Sequence, residues 1–157
     1  MRRGKYRPAM TSLYTWLKFV HILSVGAFLF SHGVTGGISF LLRGPVSGAT
    51  RSLLRASQIS GQAAYPLLLV VLATGIWMTF AGSWGRQVWP WAGLGILIVT
   101  LVVMGLVARP YYVAREAVKG PDDAVAARLA NTRPELAAGV GVVALVLIFG
   151  LMVFKPF

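Results

Sequence analysis

The chain has 157 residues, of which 57% are hydrophobic and only 12% are charged. Soluble domains carry about 25% charged residues, so this composition predicts a single-domain integral membrane protein. The absence of cysteine excludes disulfides, thiolate metal sites, iron–sulfur clusters and cysteine nucleophiles from this chain. The formal net charge is +11. Because the basic residues flank apolar runs, we expect the partner to be the lipid bilayer with its anionic headgroups, and not nucleic acid.

Four apolar segments follow one another along the chain. They cover approximately residues 13–42, 63–80, 91–108 and 137–154. Each segment reaches or approaches the ~20 residues that cross ~30 Å of hydrocarbon. We therefore predict an all-α fold, an integral membrane four-helix bundle that forms one domain over residues 1–157, with both termini on the same side.

The connections between these spans divide between two ends of the predicted bundle. Side A carries the termini and the connection near 81–90, and it holds five tryptophans, a pattern typical of an aromatic belt: Trp16, Trp77, Trp84, Trp89 and Trp91. Side B carries the connections near 43–62 and 109–135. The second of these predicts one or two surface helices, the later one starting at Pro121 with Asp122 and Asp123 in its first turn. Basic residues are nearly balanced between the sides, so the orientation stays open.

Two histidines, His21 and His32, lie in the first span and are the only histidines in the chain. Eleven residues correspond to about three helical turns, so both rings project from nearly the same face, with a rise of roughly 16 Å between them. An ionisable group at membrane depth costs a few kcal/mol and is therefore a functional hypothesis. The separation is too large for one shared metal ion, and it suits two separate metal or haem sites, one toward each leaflet.

A b-type haem (heme b) needs a small residue where the macrocycle lies against a helix, and Ser24 and Gly26 lie between the two rings. Lys18 lies near the face of His21 and could pair with a haem propionate or a lipid phosphate. Because the other spans contain no histidine, the sixth ligand would be water, a histidine of a second protomer or another subunit, or a methionine on another span. The methionine candidates are Met78, Met104 and Met152.

Each of these residues also has a structural interpretation. His21 could instead hydrogen-bond to a neighbouring residue, the candidates being Ser24, Gln62, Tyr65 and Thr74. His32 could lie half-hydrated at the side B interface. Lys18 could extend its ammonium group to the side A headgroups. Methionines in membrane helices usually serve packing.

The segment LYTWLKFVHILSVGAFLFSHG, with its Trp-Leu-Lys-x-x-His core, resembles the first helix of a group of small bacterial four-helix membrane proteins. The group includes an uncharacterised family of predicted integral membrane proteins and, more distantly, copper-resistance membrane domains and the membrane protoporphyrinogen oxidase. TGIWMTF and LMVFKPF fit the uncharacterised family best. The resemblance implies a location in the bacterial inner membrane and a haem b role for His21. The oxidase carries a lysine in its third helix, and residues 91–108 contain none, which argues against that activity.

Three functions remain open on these grounds. The first is a b-type haem site on the first helix that serves membrane electron transfer. The second is a non-catalytic accessory subunit of a larger membrane complex, and the third is an enzyme of tetrapyrrole metabolism. No acidic residue falls inside a span, which argues against a proton-coupled carrier of the usual carboxylate kind.

Overall fold

The structure is a computed structural model that describes residues 8–42 and 45–156. This part of the chain contains no strand, and its α-helices are α1 (Pro8–Leu41), α2 (Gly48–Ala81), α3 (Val88–Val107), α4 (Arg109–Glu116), α5 (Asp122–Ala130) and α6 (Pro134–Phe154). A 3-10 turn, Ala117–Lys119, joins α4 to α5. Four of these helices, α1, α2, α3 and α6, are long and apolar enough to cross a membrane. The all-α prediction and its four apolar helices are therefore confirmed.

The four long helices form two antiparallel pairs. In the first pair, Tyr14 of α1 lies against Trp77 of α2, with 6.5 Å between ring centroids. Toward the other end of that pair, Ser31 and Ser60 exchange hydrogen bonds, one of them a 2.7 Å bond from Ser60 Oγ to the Ser31 carbonyl. The second pair consists of α3 and α6, and the two pairs touch each other less extensively than the helices within each pair.

Aromatic rings and the end of α6 meet at the α2–α3 connection. Trp84 and Trp89 pack edge to face, with centroids 5.7 Å apart. Lys155, in a left-handed conformation at the carboxyl end of α6, places Nζ 4.5 Å from the Trp84 ring centroid and 5.6 Å from that of Trp89. An ammonium group at such distances is attracted by the ring quadrupole. These contacts fasten the end of α6 to the tryptophan-rich end of the molecule.

The second long helix begins well before the predicted second span. Residues 43–62 were expected to form a connection, but α2 begins at Gly48. Ser47 caps it, because its side chain accepts from the Thr50 main-chain N–H while the Thr50 hydroxyl accepts from the Ser47 N–H. Hydropathy missed this half of the helix because it is amphipathic, with Leu54 and Ser57 buried on one face and Ser52 and Arg55 exposed on the other.

Short helices cover the side B ends of α1 and α2. The sequence analysis predicted one or two such surface helices in residues 109–135. We call the segment from α4 through the 3-10 turn to α5 the cap. A break at Ala108 separates α3 from α4, and Pro110 lies in the first turn of α4. The cap buries a cluster of side chains against α1 and α2: Ile38, Leu42, Leu54, Tyr111, Ala114, Val118, Val125 and Leu129.

Arg51 of α2 binds the cap through hydrogen bonds and an ion pair. Its guanidinium donates to the main-chain carbonyls of Val118 and Gly120, the latter at 2.9 Å, and pairs with the Asp122 carboxylate. The next basic residue on α2, Arg55, is exposed. Arg51 therefore holds the cap in place, whereas Arg55, one helical turn later, does not contribute to these bonds.

Candidate functional site

His21 packs against α2, where its ring has a polar contact with a threonine. Its Nδ1 atom lies 2.8 Å from the Thr74 hydroxyl oxygen. Its ring also lies on Gly75, where an added Cβ atom would come within 3.1 Å of the His21 Cε1 atom. Thr74 is one of the four partners that the sequence offers. Gly75 is the residue whose missing side chain lets the ring approach α2.

The hydrogen bonds of Thr74 indicate which ring nitrogen carries the proton. The Thr74 hydroxyl has a single hydrogen, and its Oγ1 lies 2.6 Å from the Val70 carbonyl, which can only accept. With that hydrogen donated to Val70, Thr74 can only accept from His21. We therefore assign the hydrogen to Nδ1, which leaves the lone pair of neutral imidazole on Nε2. This tautomer is the one that metal-ligating histidines adopt when their other nitrogen donates to an orienting group.

The three methionine candidates lie in different places. Met78 is one helical turn beyond Thr74 on α2, so both lie on the face that contacts α1 near His21. Met152 packs in the α3–α6 pair, its Cε atom 3.5 Å from where a Cβ on Gly93 would lie. Met104 lies near the end of α3 and shares a cleft with His32. Met78 is therefore the methionine candidate on the helix that His21 contacts.

The other predicted cofactor residues on α1 differ in their exposure. Ser24 is buried, at 8% exposure. Gly26 is exposed, and an added Cβ there would meet nothing within 4 Å. Lys18 is exposed. Thus α1 presents His21 to α2 while Gly26 and Lys18 face outward.

His32 lies in different surroundings, in a cleft of about 60 Å³ between α1, the α3–α4 junction and the start of α6. Its ring stacks on Phe28 at a centroid distance of 5.7 Å. Met104 lines the same cleft, so two of the predicted metal residues are brought to one place. Pockets that hold small organic ligands measure about 300–1,000 Å³. The cleft as formed is therefore much too small for a porphyrin.

A second polar cluster, which the sequence interpretation missed, joins α2 to α4. The Tyr111 hydroxyl donates to Ser57 Oγ at 2.7 Å, and Arg115 Nη2 donates to the Ser57 carbonyl at 2.9 Å. Ser57 is fully buried and Arg115 is only 7% exposed. The guanidinium carbon of Arg115 lies 5.8 Å from the centroid of the Tyr111 ring and 5.4 Å from that of Tyr112. A cation buried in this way is stabilised by the ring faces and the carbonyl together.

Gly61 makes room for this buried guanidinium. A Cβ atom on Gly61 would lie 2.6 Å from Arg115 Nη2 and 3.1 Å from Nη1. The sequence signal for the cluster is weak, because Tyr111 and Arg115 are one helical turn apart on α4 but their serine partner lies on another helix.

Burial raises the pKa of Tyr111 above its ordinary value, against the opposite effects of the Ser57 hydrogen bond and the Arg115 charge. Burial likewise raises the pKa of Tyr112, with a further rise from Tyr65 and an opposing effect of Arg115. Both phenols are therefore neutral hydrogen-bond donors at physiological pH.

Among the described residues, no three histidine, cysteine, aspartate or glutamate side chains group to hold a metal ion. Comparison with protein-family models, with curated proteins and with solved structures finds no match to this chain. The resemblance of the first helix to the small bacterial four-helix proteins therefore stays a prediction.

Proposed function

We propose that this protein is a four-span integral membrane protein that binds one b-type haem through His21 and serves membrane electron transfer. Both ends of the chain and the tryptophan-rich connection would lie on one side of the membrane, which we take to be a bacterial inner membrane. The His21–Thr74 contact carries the proposal. It supports the proposal because an imidazole that donates from Nδ1 to Thr74 keeps its lone pair on Nε2, where an iron ion would bind.

The residues around His21 suit the ligand role in their chemistry. Thr74 accepts from Nδ1–H, as the orienting partners of metal-bound histidines do, and such a partner also raises the basicity of the ligand nitrogen. Gly75 keeps the ring against α2, so the side chain has less rotational freedom to lose on binding. Met78, on the helix that His21 contacts, would be the internal residue able to supply a second ligand to the iron. A haem held there would carry single electrons between its ferric and ferrous states.

Haem content in two matched histidine variants tests the proposal. His21→Ala is expected to lose the pigment while keeping the helical content of the parent, with a lower melting temperature because the bound haem and the Thr74 contact both stabilise the folded state. His32→Ala, on the same helix, serves as the control and is expected to keep it, because the contacts with Thr74 and Gly75 that support the haem site are made by His21. Haem is counted per chain by pyridine haemochrome. Full pigment in His21→Ala would refute the assignment, and loss only in His32→Ala would move it to the other histidine.

Thr74→Val separates ligation from packing, because it keeps the side-chain shape and removes the acceptor for Nδ1–H. Loss of an orienting partner typically costs 10–100-fold in affinity for the bound metal. We expect haem to dissociate at least tenfold faster from Thr74→Val than from the parent protein. Equal dissociation rates would show that the Thr74 contact is only structural.

One observation favours a second candidate, an accessory subunit of a larger membrane complex. Large apolar side chains remain exposed along all four long helices of the described chain, including Phe30, Leu69, Val102 and Val146. Each of the four apolar windows is only 6–11% buried within the protein. Such faces can meet lipid or other membrane helices. Purification in a mild detergent distinguishes the two, because an accessory subunit comes with a larger partner in fixed ratio and without pigment.

A further inference from the structure

The cleft beside His32 is lined by polar and basic side chains that have no part in the proposed haem site. It lies at side B, where α3 ends and α6 begins, at the level expected for lipid headgroups. Its lining includes Arg133 and contains no aspartate or glutamate. The volume of about 60 Å³ corresponds to about two water molecules, a space suited to a small polar group.

Hydrogen bonds already present decide which groups in the cleft can still bind a ligand. Ser39 donates to the Gly36 carbonyl at 2.5 Å, Thr132 to the Leu129 carbonyl at 2.7 Å, and Tyr111 to Ser57 at 2.7 Å. Thr35 donates to main-chain carbonyls of α1 and α2. A hydroxyl has one hydrogen, so these four side chains offer no further donor while these bonds persist.

Three donors remain in the lining: Arg133, Tyr112 and one ring N–H of His32. Among the described residues, none of the three makes a side-chain hydrogen bond. The Tyr112 ring is held over Arg115, 5.4 Å from centroid to guanidinium carbon, so the buried cation adds positive potential at the wall of the cleft. Three side-chain donors in one lining, one of them a guanidinium, with no carboxylate among the lining residues, form an environment that favours an oxyanion.

We infer that this cleft binds a phosphate group, with Arg133, Tyr112 and His32 as its donors. Phosphate suits the set because it presents several acceptor oxygens and negative charge, and because guanidinium matches its geometry. The first turn of α6, which begins at Pro134 without a side-chain cap, adds partial positive charge to the same place. The phosphate could belong to an anionic lipid headgroup or to a free phosphate compound, since both present the same oxygens.

Binding to the purified full chain, in detergent and a phosphate-free buffer, tests the inference with two probes. The first probe is dioleoyl phosphatidylglycerol, counted by native mass spectrometry; the second is sodium phosphate, followed by protection against thermal unfolding. We expect one phosphate group to bind per chain. Arg133→Ala should weaken its binding about tenfold, since a charge-assisted bond is lost. Tyr112→Phe, which keeps the ring over Arg115, should weaken it a few-fold.

Arg128→Ala is the matched control, because Arg128 is an exposed arginine at the same end that does not line the cleft. The inference requires binding to Arg128→Ala to equal binding to the parent. If only phosphatidylglycerol binds, the natural ligand is a lipid; if sodium phosphate binds with the same dependence on Arg133, it is a free phosphate. Equal loss in both arginine variants would indicate a general basic surface and overturn the site, as would unchanged binding in Arg133→Ala. Haem content is independent of these outcomes.

Discussion

Leu54 and Leu69 lie on the same helix, yet Leu54 is fully buried beneath the cap while Leu69 is 66% exposed. At side B, the cap closes a continuous apolar cluster over the ends of α1 and α2. Along the spans, the helices bury little against one another. The cap lies where water would otherwise reach apolar side chains, so burial there is driven by the hydrophobic effect. In the proposed membrane arrangement the spans meet lipid tails, which are as apolar as leucine, so helix association there would come from packing and polar contacts.

The polar contacts between α1 and α2 can be understood from this difference between the water-facing cap and the lipid-facing spans. The hydrogen bonds of Ser31 with Ser60 and of His21 with Thr74 join the two helices at different heights. In hydrocarbon, a polar group without a partner is costly, so paired hydroxyls favour one register of the helix pair. The cap, in contrast, is held by its apolar cluster together with the Arg51 and Arg115 contacts.

The same substitution at the two leucines should give the largest contrast. Leu54→Ala is expected to destabilise the protein by about 3 kcal/mol, because it leaves a cavity in a packed cluster. Leu69→Ala should change stability by less than about 1 kcal/mol, because lipid replaces the lost side chain. Reversible unfolding in mixed micelles measures both. Similar losses in the two variants would show that the span is as tightly packed as the cap.

A methyl group added at Gly61 tests whether the buried guanidinium can move. Gly61→Ala is expected to cost about 1–2 kcal/mol, because Arg115 must shift away from Ser57 or from the tyrosine rings. Gly33→Ala is the control, since a Cβ there meets nothing within 4 Å. It should be stabilising by about 0.5–1 kcal/mol through helix propensity. A neutral Gly61→Ala would mean that the Arg115 contacts contribute little.

Removal of Arg51 should loosen the cap and leave the spans intact. Arg51→Ala loses the bonds to the Val118 and Gly120 carbonyls and to Asp122, whose side chain is 66% exposed. We expect a loss of about 1 kcal/mol, mostly from the carbonyl contacts, since exposed ion pairs contribute little. Hydrogen exchange should rise in residues 117–130 and stay unchanged in α1. Arg55→Ala, on an exposed site of the same helix, should change neither; equal exchange in both variants would remove Arg51 from this role.

The smallest expected effect is a loss of stability at alkaline pH, where Tyr111 and Tyr112 ionise. Because burial raises the pKa of Tyr111 and Tyr112 in the folded protein above the ordinary value of 10.0, the unfolded chain loses these protons first. The stability contributed by the neutral phenols is complete below the ordinary pKa and is lost as pH rises toward the raised values. Phenolate absorbance should show a late component that disappears in Tyr111→Phe/Tyr112→Phe. A titration whose late component survives in that variant would contradict the assignment.

Hydropathy alone predicts the four long apolar helices, because a span needs a long apolar run and little else. The same signal places the start of the second span too late, since residues 48–62 are amphipathic and face the cap. Thr74 could be named as one of four partners of His21, but choosing among them requires the register of α1 against α2. The Ser57–Tyr111–Arg115 cluster could not be predicted, because its members come from helices far apart in the sequence and no local pattern links them.

The most direct test of the central claim is the visible spectrum of the purified full chain, produced with an added haem precursor, first oxidised and then reduced with dithionite. The His21 site predicts a Soret band and, on reduction, sharp α and β bands at a stoichiometry of one haem per chain. A featureless spectrum from folded protein would contradict haem binding and leave the accessory-subunit proposal as the better account.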